Sequence, residues 1–130
     1  MAIGKQELAA AAQEARRGSY APYSGVTVGA ALEADGQLFT GANVENGSYG
    51  LTICAERVAV FKAVTSGARK FDRIAVAGNQ ERFLQPCGAC LQVLSEFCDD
   101  LEIILVDNDG STSETSLAQL FPAPFKLKRK

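Results

Sequence analysis

The chain has 130 residues, of which 47% are hydrophobic and 22% are charged, and this composition predicts a single globular domain over residues 1–130. The formal net charge of −2 argues against a general attraction to nucleic acid polymers or acidic membranes. Histidine is absent, which excludes Ser-His and Cys-His hydrolases and any histidine metal ligand.

The first half of the chain predicts a helix, a β-hairpin and a second helix. Small apolar residues recur at helical spacing from Leu8 to Ala15 and predict a helix over about residues 4–17. Two strand-like segments then flank Asp35-Gly36, a dipeptide typical of tight hairpin turns. After a glycine-rich loop, residues 54–66 predict a mostly buried helix.

The second half predicts two buried strands, "DRIAVAG" and "LEIILV", separated by a helix that starts near Cys87 and carries Cys98 on its apolar stripe. A further strand and a short helix in "SLAQLF" follow, and the basic tail "KLKRK" is expected to be solvated and frayed. Alternating strands and helices pack as right-handed crossovers on both faces of a sheet. We therefore expect an α/β fold of three layers, α/β/α, with a central mixed sheet of about five strands.

Three of the four cysteines are placed to form a metal site. Cys87 and Cys90 follow Pro86 at i, i+3 spacing, so their side chains share one face at a helix start. Cys54 lies at the start of the other central helix, and helix N-termini favour the thiolate form. If the two helix starts are neighbours, three thiolates converge. The alternative is a pair of core or redox cysteines, although a redox CxxC is expected earlier in the chain.

Cys98 is expected to be a core residue and not a fourth ligand. On a straight helix it lies roughly 12 Å beyond Cys90 at ~1.5 Å rise per residue, too far to share a metal with ~2.3 Å Zn–S bonds. A zinc with three protein ligands and an open position is typical of catalytic sites, because it can hold a water molecule and lower that water's pKa. Arg57 would then offset the negative charge of the thiolates, and Glu56 would carry protons.

The residues that form this pattern also resemble a known family. "CAER" at 54–57 followed by "PCGAC" at 86–90 is similar to the cytidine deaminases, in their short homotetrameric three-cysteine form. The segments "YAPYS", "VGAAL", "GANVENGSYG", "FKAV" and "LFP" occur in the same order as in that family, so the resemblance covers nearly the whole chain. The paired motifs are specific in combination, whereas either one alone would not be.

The resemblance implies both a reaction and the residues that perform it. Cys54, Cys87 and Cys90 would ligate one Zn²⁺ per chain, and Glu56 would move a proton from water to the pyrimidine N3 and then to the departing ammonia. The reaction would be hydrolytic deamination of cytidine and deoxycytidine to uridine and deoxyuridine, as in pyrimidine salvage.

The resemblance further implies how the nucleoside is held. Asn43 and Glu45 match residues that hydrogen-bond the ribose, and the less favoured alternative is that both are turn residues that close a strand. Ala55 would offer backbone contacts to the base, and Phe125 would reach the site of a neighbouring subunit. A homotetramer with its sites near subunit interfaces is therefore expected. The N-terminus lacks a long apolar segment, so we expect a cytoplasmic location and no membrane association.

Two positions depart from the family pattern and leave alternatives open. Val26 stands where an aromatic side chain usually packs on the base, and it would supply an apolar wall to the substrate without stacking. Leu91 stands where many members have a second arginine. The alternatives are a deaminase of another aminated heterocycle such as blasticidin S, or a non-catalytic zinc-stabilised binding module. Glu45 argues against the former and Glu56 against the latter, while Val26 keeps the other heterocycle open.

Overall fold

Five strands, four α-helices and two short 3-10 helices lie within residues 3–129, the part of the chain that the computed structural model describes. Met1, Ala2 and Lys130, which belong to the predicted domain span, lie outside the described residues. Within residues 3–129, no helix combines the length and apolar character needed to cross a membrane. The elements in chain order are α1 (Lys5–Ala15), β1 (Val28–Ala34), β2 (Gln37–Ala42), α2 (Ala55–Thr65), β3 (Phe71–Gly78), α3 (Gly88–Phe97), β4 (Glu102–Val106), β5 (Thr112–Ser116) and α4 (Leu117–Leu120).

The five strands form one sheet in the order β2-β1-β3-β4-β5. β3 and β4 are parallel, and the other neighbours are antiparallel, so the predicted mixed sheet is confirmed. β1 and β2 are joined at the predicted turn, where Asp35 and Gly36 have φ values of 51° and 73°. Two successive residues with positive φ give the primed turn that matches the twist of a hairpin.

Helices cover both faces of the sheet, which confirms the predicted three layers. α1 packs on one face, where Leu8 and Ala12 contact a small cluster that includes Ala31, Ala75 and Ile104. α2 and α3 lie on the other face over the larger core. The largest fully buried side chains of that core are Leu32, Val60, Ile74, Val76, Leu94, Ile103 and Leu117.

The start of α2 is held directly against β2 by a glycine. A Cβ atom at Gly41 would lie 2.6 Å from the carbonyl oxygen of Ala55 and 2.6 Å from the backbone nitrogen of Ala59. Any side chain at Gly41 would therefore push the helix away from the sheet. The first turn of α2, which follows Cys54, is fixed in position by this close approach.

The end of α3 differs from the sequence prediction. The helix ends at Phe97, and Cys98 follows it with extended backbone angles of φ −158° and ψ 153°. Cys98 therefore lies beyond the last helical turn and not on the apolar stripe. It is half-buried against the larger core, and its Sγ donates to the carbonyl oxygen of Leu94 at 3.4 Å.

The basic tail is ordered by the C-terminus of α3. Lys126 Nζ donates to the carbonyl oxygen of Ser95, and Arg129 Nη2 donates to that of Glu96 at 3.1 Å. These carbonyls belong to the last turn, where a helix leaves acceptors unpaired and favours positive charge. The expectation of a frayed terminus is therefore wrong for Lys126 and Arg129.

Candidate functional site

Two helix starts converge at one end of the sheet. Cys54 is the N-cap residue of α2 and Cys87 is the N-cap residue of α3, while Cys90 lies in the first turn of α3. An N-cap side chain usually accepts a hydrogen bond from the helix backbone, as serine or aspartate does. Neither cysteine does so, and both thiols are left available for another partner.

The three sulfurs fit a single metal ion. The Sγ atoms of Cys54, Cys87 and Cys90 all lie within 4.8 Å of one another. The separations are 3.8 Å from Cys54 to Cys87 and 3.5 Å from Cys87 to Cys90. Tetrahedral zinc with ~2.3 Å bonds to sulfur needs neighbouring sulfurs about 3.8 Å apart. Cys98 is not a member of this cluster, as the sequence predicted.

The cluster favours a thiolate at Cys54. Hydrogen bonding from Cys90, followed by bonds from Arg57 and Cys87, lowers the pKa of Cys54 to about 5 against the cost of burial. The pKa of Cys90 is raised, chiefly because its proton is held in the bond to Cys54 and because the thiol is desolvated. A thiolate is the form of cysteine that binds a metal, so the site is prepared for a cation.

Arg57 is the cation that the structure places beside the cluster. Its Nη2 atom donates to Cys54 Sγ at 3.5 Å. Among residues 3–129, Arg57 Nε is a buried polar atom that has no hydrogen-bond partner. The guanidinium therefore donates to a sulfur through Nη2, and its Nε–H is available to make a further hydrogen bond.

Glu56 is a buried carboxyl at the edge of a cavity. It lies in the first turn of α2, is only 4% exposed, and has its pKa raised to about 7 by burial. A carboxyl with a pKa near neutrality can both accept and donate a proton under physiological conditions. The cavity has a volume of about 260 Å³. Its lining residues are Val28, Asn43, Thr52, Cys54, Ala55, Glu56, Val76, Leu84, Gln85 and Cys87.

Asn43 lines this cavity, but its amide is already engaged with the backbone. Asn43 Oδ1 accepts from the Val28 N–H at 2.9 Å, and Nδ2 donates to the Val26 carbonyl oxygen at 2.8 Å. The amide can still make one further bond as a donor and one as an acceptor. Val26, the predicted apolar wall, is not among the lining residues, whereas Val28 is. Val28 is not among the site residues predicted from the sequence, although the alternation in "VTV" predicts that Val26 and Val28 face the same way.

Glu45 lies in a second cavity, of about 340 Å³, lined by Tyr23, Ser24, Glu45, Asn46, Tyr49 and Thr52. Its Oε1 accepts from the N–H groups of Tyr23 and Ser24 at 3.0 and 3.2 Å, and its Oε2 accepts from the Ser24 hydroxyl. The hydroxyl of Ser24, more than the backbone donors, lowers the pKa of this carboxyl below its usual value. Thr52, which the sequence analysis also missed, lines both cavities.

Phe125, like Val26, is a predicted site residue that lines neither of these two cavities. Phe125 is 67% exposed, and its carbonyl oxygen accepts from Gln92 Nε2 at 3.0 Å. The neighbouring surface is a groove of about 320 Å³ between α2 and α3, which we call the α2–α3 groove. Its lining residues are Phe61, Gln92, Val93, Glu96 and Phe97.

Comparison with known proteins agrees with this arrangement. The family described as "Cytidine and deoxycytidylate deaminase zinc-binding region" matches residues 3–106 of the chain. A cytidine deaminase of Sporosarcina psychrophila is 45% identical over 122 residues, which cover 92% of this chain and 90% of that protein. A cytidine deaminase of Halalkalibacterium halodurans is 46% identical over 125 residues, with 95% of each chain covered.

Solved structures show the same likeness in three dimensions. The crystal structure of cytidine deaminase from Burkholderia pseudomallei superposes with a TM-score of 0.90 at 46% sequence identity, and covers 95% of this chain and 100% of that one. The cytidine deaminase from Mycobacterium tuberculosis gives a TM-score of 0.78 at 39% identity, with 92% and 95% covered.

Proposed function

The chain belongs to the cytidine and deoxycytidylate deaminase family, and we propose that it hydrolyses cytidine and deoxycytidine to uridine and deoxyuridine with release of ammonia. The observation that carries this proposal is the convergence of three cysteine sulfurs beside a buried carboxyl, Glu56, at the edge of a cavity. The high identity to proteins named cytidine deaminase supports the choice of substrate.

We propose that Cys54, Cys87 and Cys90 hold one Zn²⁺ per chain. Zinc bound there would activate a water molecule for attack on C4 of the pyrimidine. Three thiolates exceed the charge of Zn²⁺ by one, and the Arg57 guanidinium, 3.5 Å from Cys54 Sγ, offsets that excess.

Glu56 is the proton carrier in this proposal. Its carboxylate takes one proton from the attacking water and gives it to N3 of the pyrimidine. It then takes the second proton of that water, from the hydroxyl now bonded to C4, and gives it to the amino group, which leaves as ammonia. Water is consumed, the bond between C4 and the exocyclic nitrogen breaks, and a carbonyl remains at C4. The nearly neutral pKa of Glu56 supports both directions of transfer.

The nucleoside is proposed to lie across the two cavities. In the cavity beside the cysteines, Ala55 offers its backbone to the base. Val28 gives this cavity the apolar wall that the sequence assigned to Val26. Asn43 and Glu45 bind the sugar, the former through the remaining capacity of its amide and the latter through its ionised carboxylate.

We propose a homotetramer in which Phe125 completes the site of a neighbouring subunit. The exposed Phe125 ring and the apolar α2–α3 groove support an interface on this side of the molecule. Analytical ultracentrifugation at several concentrations tests the assembly. Phe125→Ala is expected to lower kcat/KM about tenfold, because stacking on the base is lost. Leu127→Ala is the matched control, since this side chain is 77% exposed on the same tail and should leave kcat/KM unchanged.

We also propose that residues 1–130 form one deaminase domain that acts in pyrimidine salvage in the cytoplasm. The need for three reduced cysteines supports a reducing compartment, because disulfides form readily elsewhere.

The direct test is turnover by the purified protein. Zinc is measured by elemental analysis, and loss of ultraviolet absorbance is followed with cytidine, deoxycytidine, cytosine and blasticidin S. We expect one zinc per chain and turnover of the two nucleosides. Turnover of blasticidin S alone would favour the other heterocycle, and zinc without any turnover would favour a binding module.

A further inference from the structure

The two carboxyl groups of the proposed site do not line the same cavity. Glu56 lines the cavity beside the cysteines, and Glu45 lines the cavity near Tyr23. A single nucleoside has to present its base to Glu56 and its sugar to Glu45. The substrate therefore has to cross the boundary between the two cavities, and Thr52 is the residue that lines both.

The Thr52 side chain is held at this boundary by a hydrogen bond in which its hydroxyl oxygen is the acceptor. Its Oγ1 accepts from the Asn46 N–H at 3.1 Å, and its own N–H donates to the Tyr49 carbonyl oxygen at 3.1 Å. Because Oγ1 acts as an acceptor in the first bond, its hydroxyl proton is free to be donated. Among the hydrogen bonds of residues 3–129, none uses this proton. Thr52 is half-buried, so it reaches the cavities and is partly shielded from bulk water.

We propose that Thr52 is a specificity-determining residue, whose hydroxyl donates a hydrogen bond to a hydroxyl of the substrate's sugar as the nucleoside spans the two cavities. This rests on the proposed function. A neutral donor at the boundary adds a contact that Glu45, an acceptor only, cannot make. Discrimination by hydrogen bonding is expected because a substrate without the matching hydroxyl leaves the donor unpaired.

Two substitutions separate the hydroxyl from the shape of the side chain. Thr52→Val keeps the shape and removes the hydroxyl, whereas Thr52→Ser keeps the hydroxyl and removes the methyl group. Thr65→Val is the matched control, because Thr65 also uses its hydroxyl in a local bond, to the Phe61 carbonyl oxygen at 2.6 Å, but lies at the far end of α2. Zinc content and the thermal midpoint are recorded for every variant.

The measurement is kcat/KM for cytidine, 2′-deoxycytidine, 3′-deoxycytidine and 5′-deoxycytidine. Thr52→Val should lower kcat/KM for cytidine about three- to tenfold, the effect of one neutral hydrogen bond, through KM more than kcat. The same variant should leave kcat/KM unchanged for the one analogue that lacks the sugar hydroxyl contacted by Thr52. Thr52→Ser and Thr65→Val should match the wild type on all four substrates.

Two results would overturn the inference while the proposed function stands. The first is an equal loss on all four substrates with Thr52→Val, which would indicate that the bond to Asn46 only orders the loop. The second is no loss on any of them. A wild-type protein that turns over none of the four nucleosides would instead refute the proposed function, and the role of Thr52 with it.

Discussion

Arg57 and Cys54 are joined by a hydrogen bond of 3.5 Å from the guanidinium Nη2 atom to the sulfur, one helical turn apart at the start of α2. Among residues 3–129, no other basic side chain makes a hydrogen bond to a sulfur of the cluster. Leu91, which follows the last cysteine of the cluster, is 7% exposed and packs in the apolar core. The charge of the cluster is therefore balanced locally by Arg57.

Removal of this cation should weaken metal binding. Arg57→Gln is expected to lower zinc affinity about 10- to 100-fold, the effect typical of outer partners that orient and tune a metal ligand. Competition with a chromophoric chelator at fixed pH measures this affinity. Arg17→Gln is the control, because Arg17 is 83% exposed and only pairs with Glu14. Equal affinities for Arg57→Gln and the wild type would show that the thiolates need no local cation.

Loss of the carboxyl at Glu56 should stop catalysis without emptying the site. Glu56→Gln keeps the size of the side chain, and we expect kcat to fall about 10²- to 10⁴-fold, since proton transfer by a positioned group contributes that much. Zinc content should stay at the wild-type value because Glu56 is not one of the clustered ligands. Glu14→Gln, on the exposed face of α1, should have full activity. Substantial turnover by Glu56→Gln would refute the proton-carrier role.

The four cysteines should divide into three ligands and one bystander. Serine at Cys54, Cys87 or Cys90 should remove most of the zinc, whereas Cys98→Ser should retain both zinc and kcat. Burial raises the pKa of Cys98 to about 11, so its thiol should react slowly with an aromatic disulfide reagent at pH 8. Elemental analysis and thiol titration measure the two properties. Zinc loss in Cys98→Ser would contradict the three-ligand site.

The protonation of Glu45 should not weaken cytidine binding between pH 7 and pH 5. Hydrogen bonds, led by that from Ser24, lower the pKa of Glu45 below the usual 4.5, so the carboxylate stays ionised as the pH falls from 7 to 5. Any contribution of this group to binding or stability is lost only when the pH falls through the lowered value. The Kd for cytidine should be constant over this range in calorimetry with Glu56→Gln, which removes the titration of Glu56.

A control variant makes that pH experiment specific. Ser24→Ala removes the bond that lowers the pKa most, so the Kd of Glu56→Gln combined with Ser24→Ala should begin to rise at a higher pH. An early rise in Glu56→Gln alone would mean that another group controls sugar binding in acid.

Much of the site could be predicted because its chemistry depends on local sequence. Cys54 and Cys87 were expected at helix starts, and the structure puts both at N-caps. The turn at Asp35-Gly36 was likewise predictable, since few residue pairs accept two positive φ values in succession.

Other features depend on contacts that sequence spacing does not encode. The Asn43 side-chain amide bonds the Val26 carbonyl oxygen and the Val28 N–H, at the residues that lead into β1. Val28, and not Val26, lines the cavity in this arrangement. Cys98 leaves the helix because α3 stops one residue earlier than its apolar periodicity indicates. The capping of α3 by the tail joins positions about 30 residues apart. The position of Thr52 between two cavities depends on how separate segments of the chain pack, which no local motif indicates.

A metal ion held by the three sulfurs would also cross-link distant positions of the chain. Cys54 and Cys87 are 33 positions apart in the sequence, and the segment between them contains all of α2 and all of β3. A metal held by both closes a long loop in a chain that has no disulfide among its four cysteines. Because such a cross-link exists only when the ion is bound, it stabilises the fold by mass action, by about 2.7 kcal/mol when free metal is 100 times its Kd. The proposed zinc site would therefore couple the folded population of this protein to the supply of zinc around it.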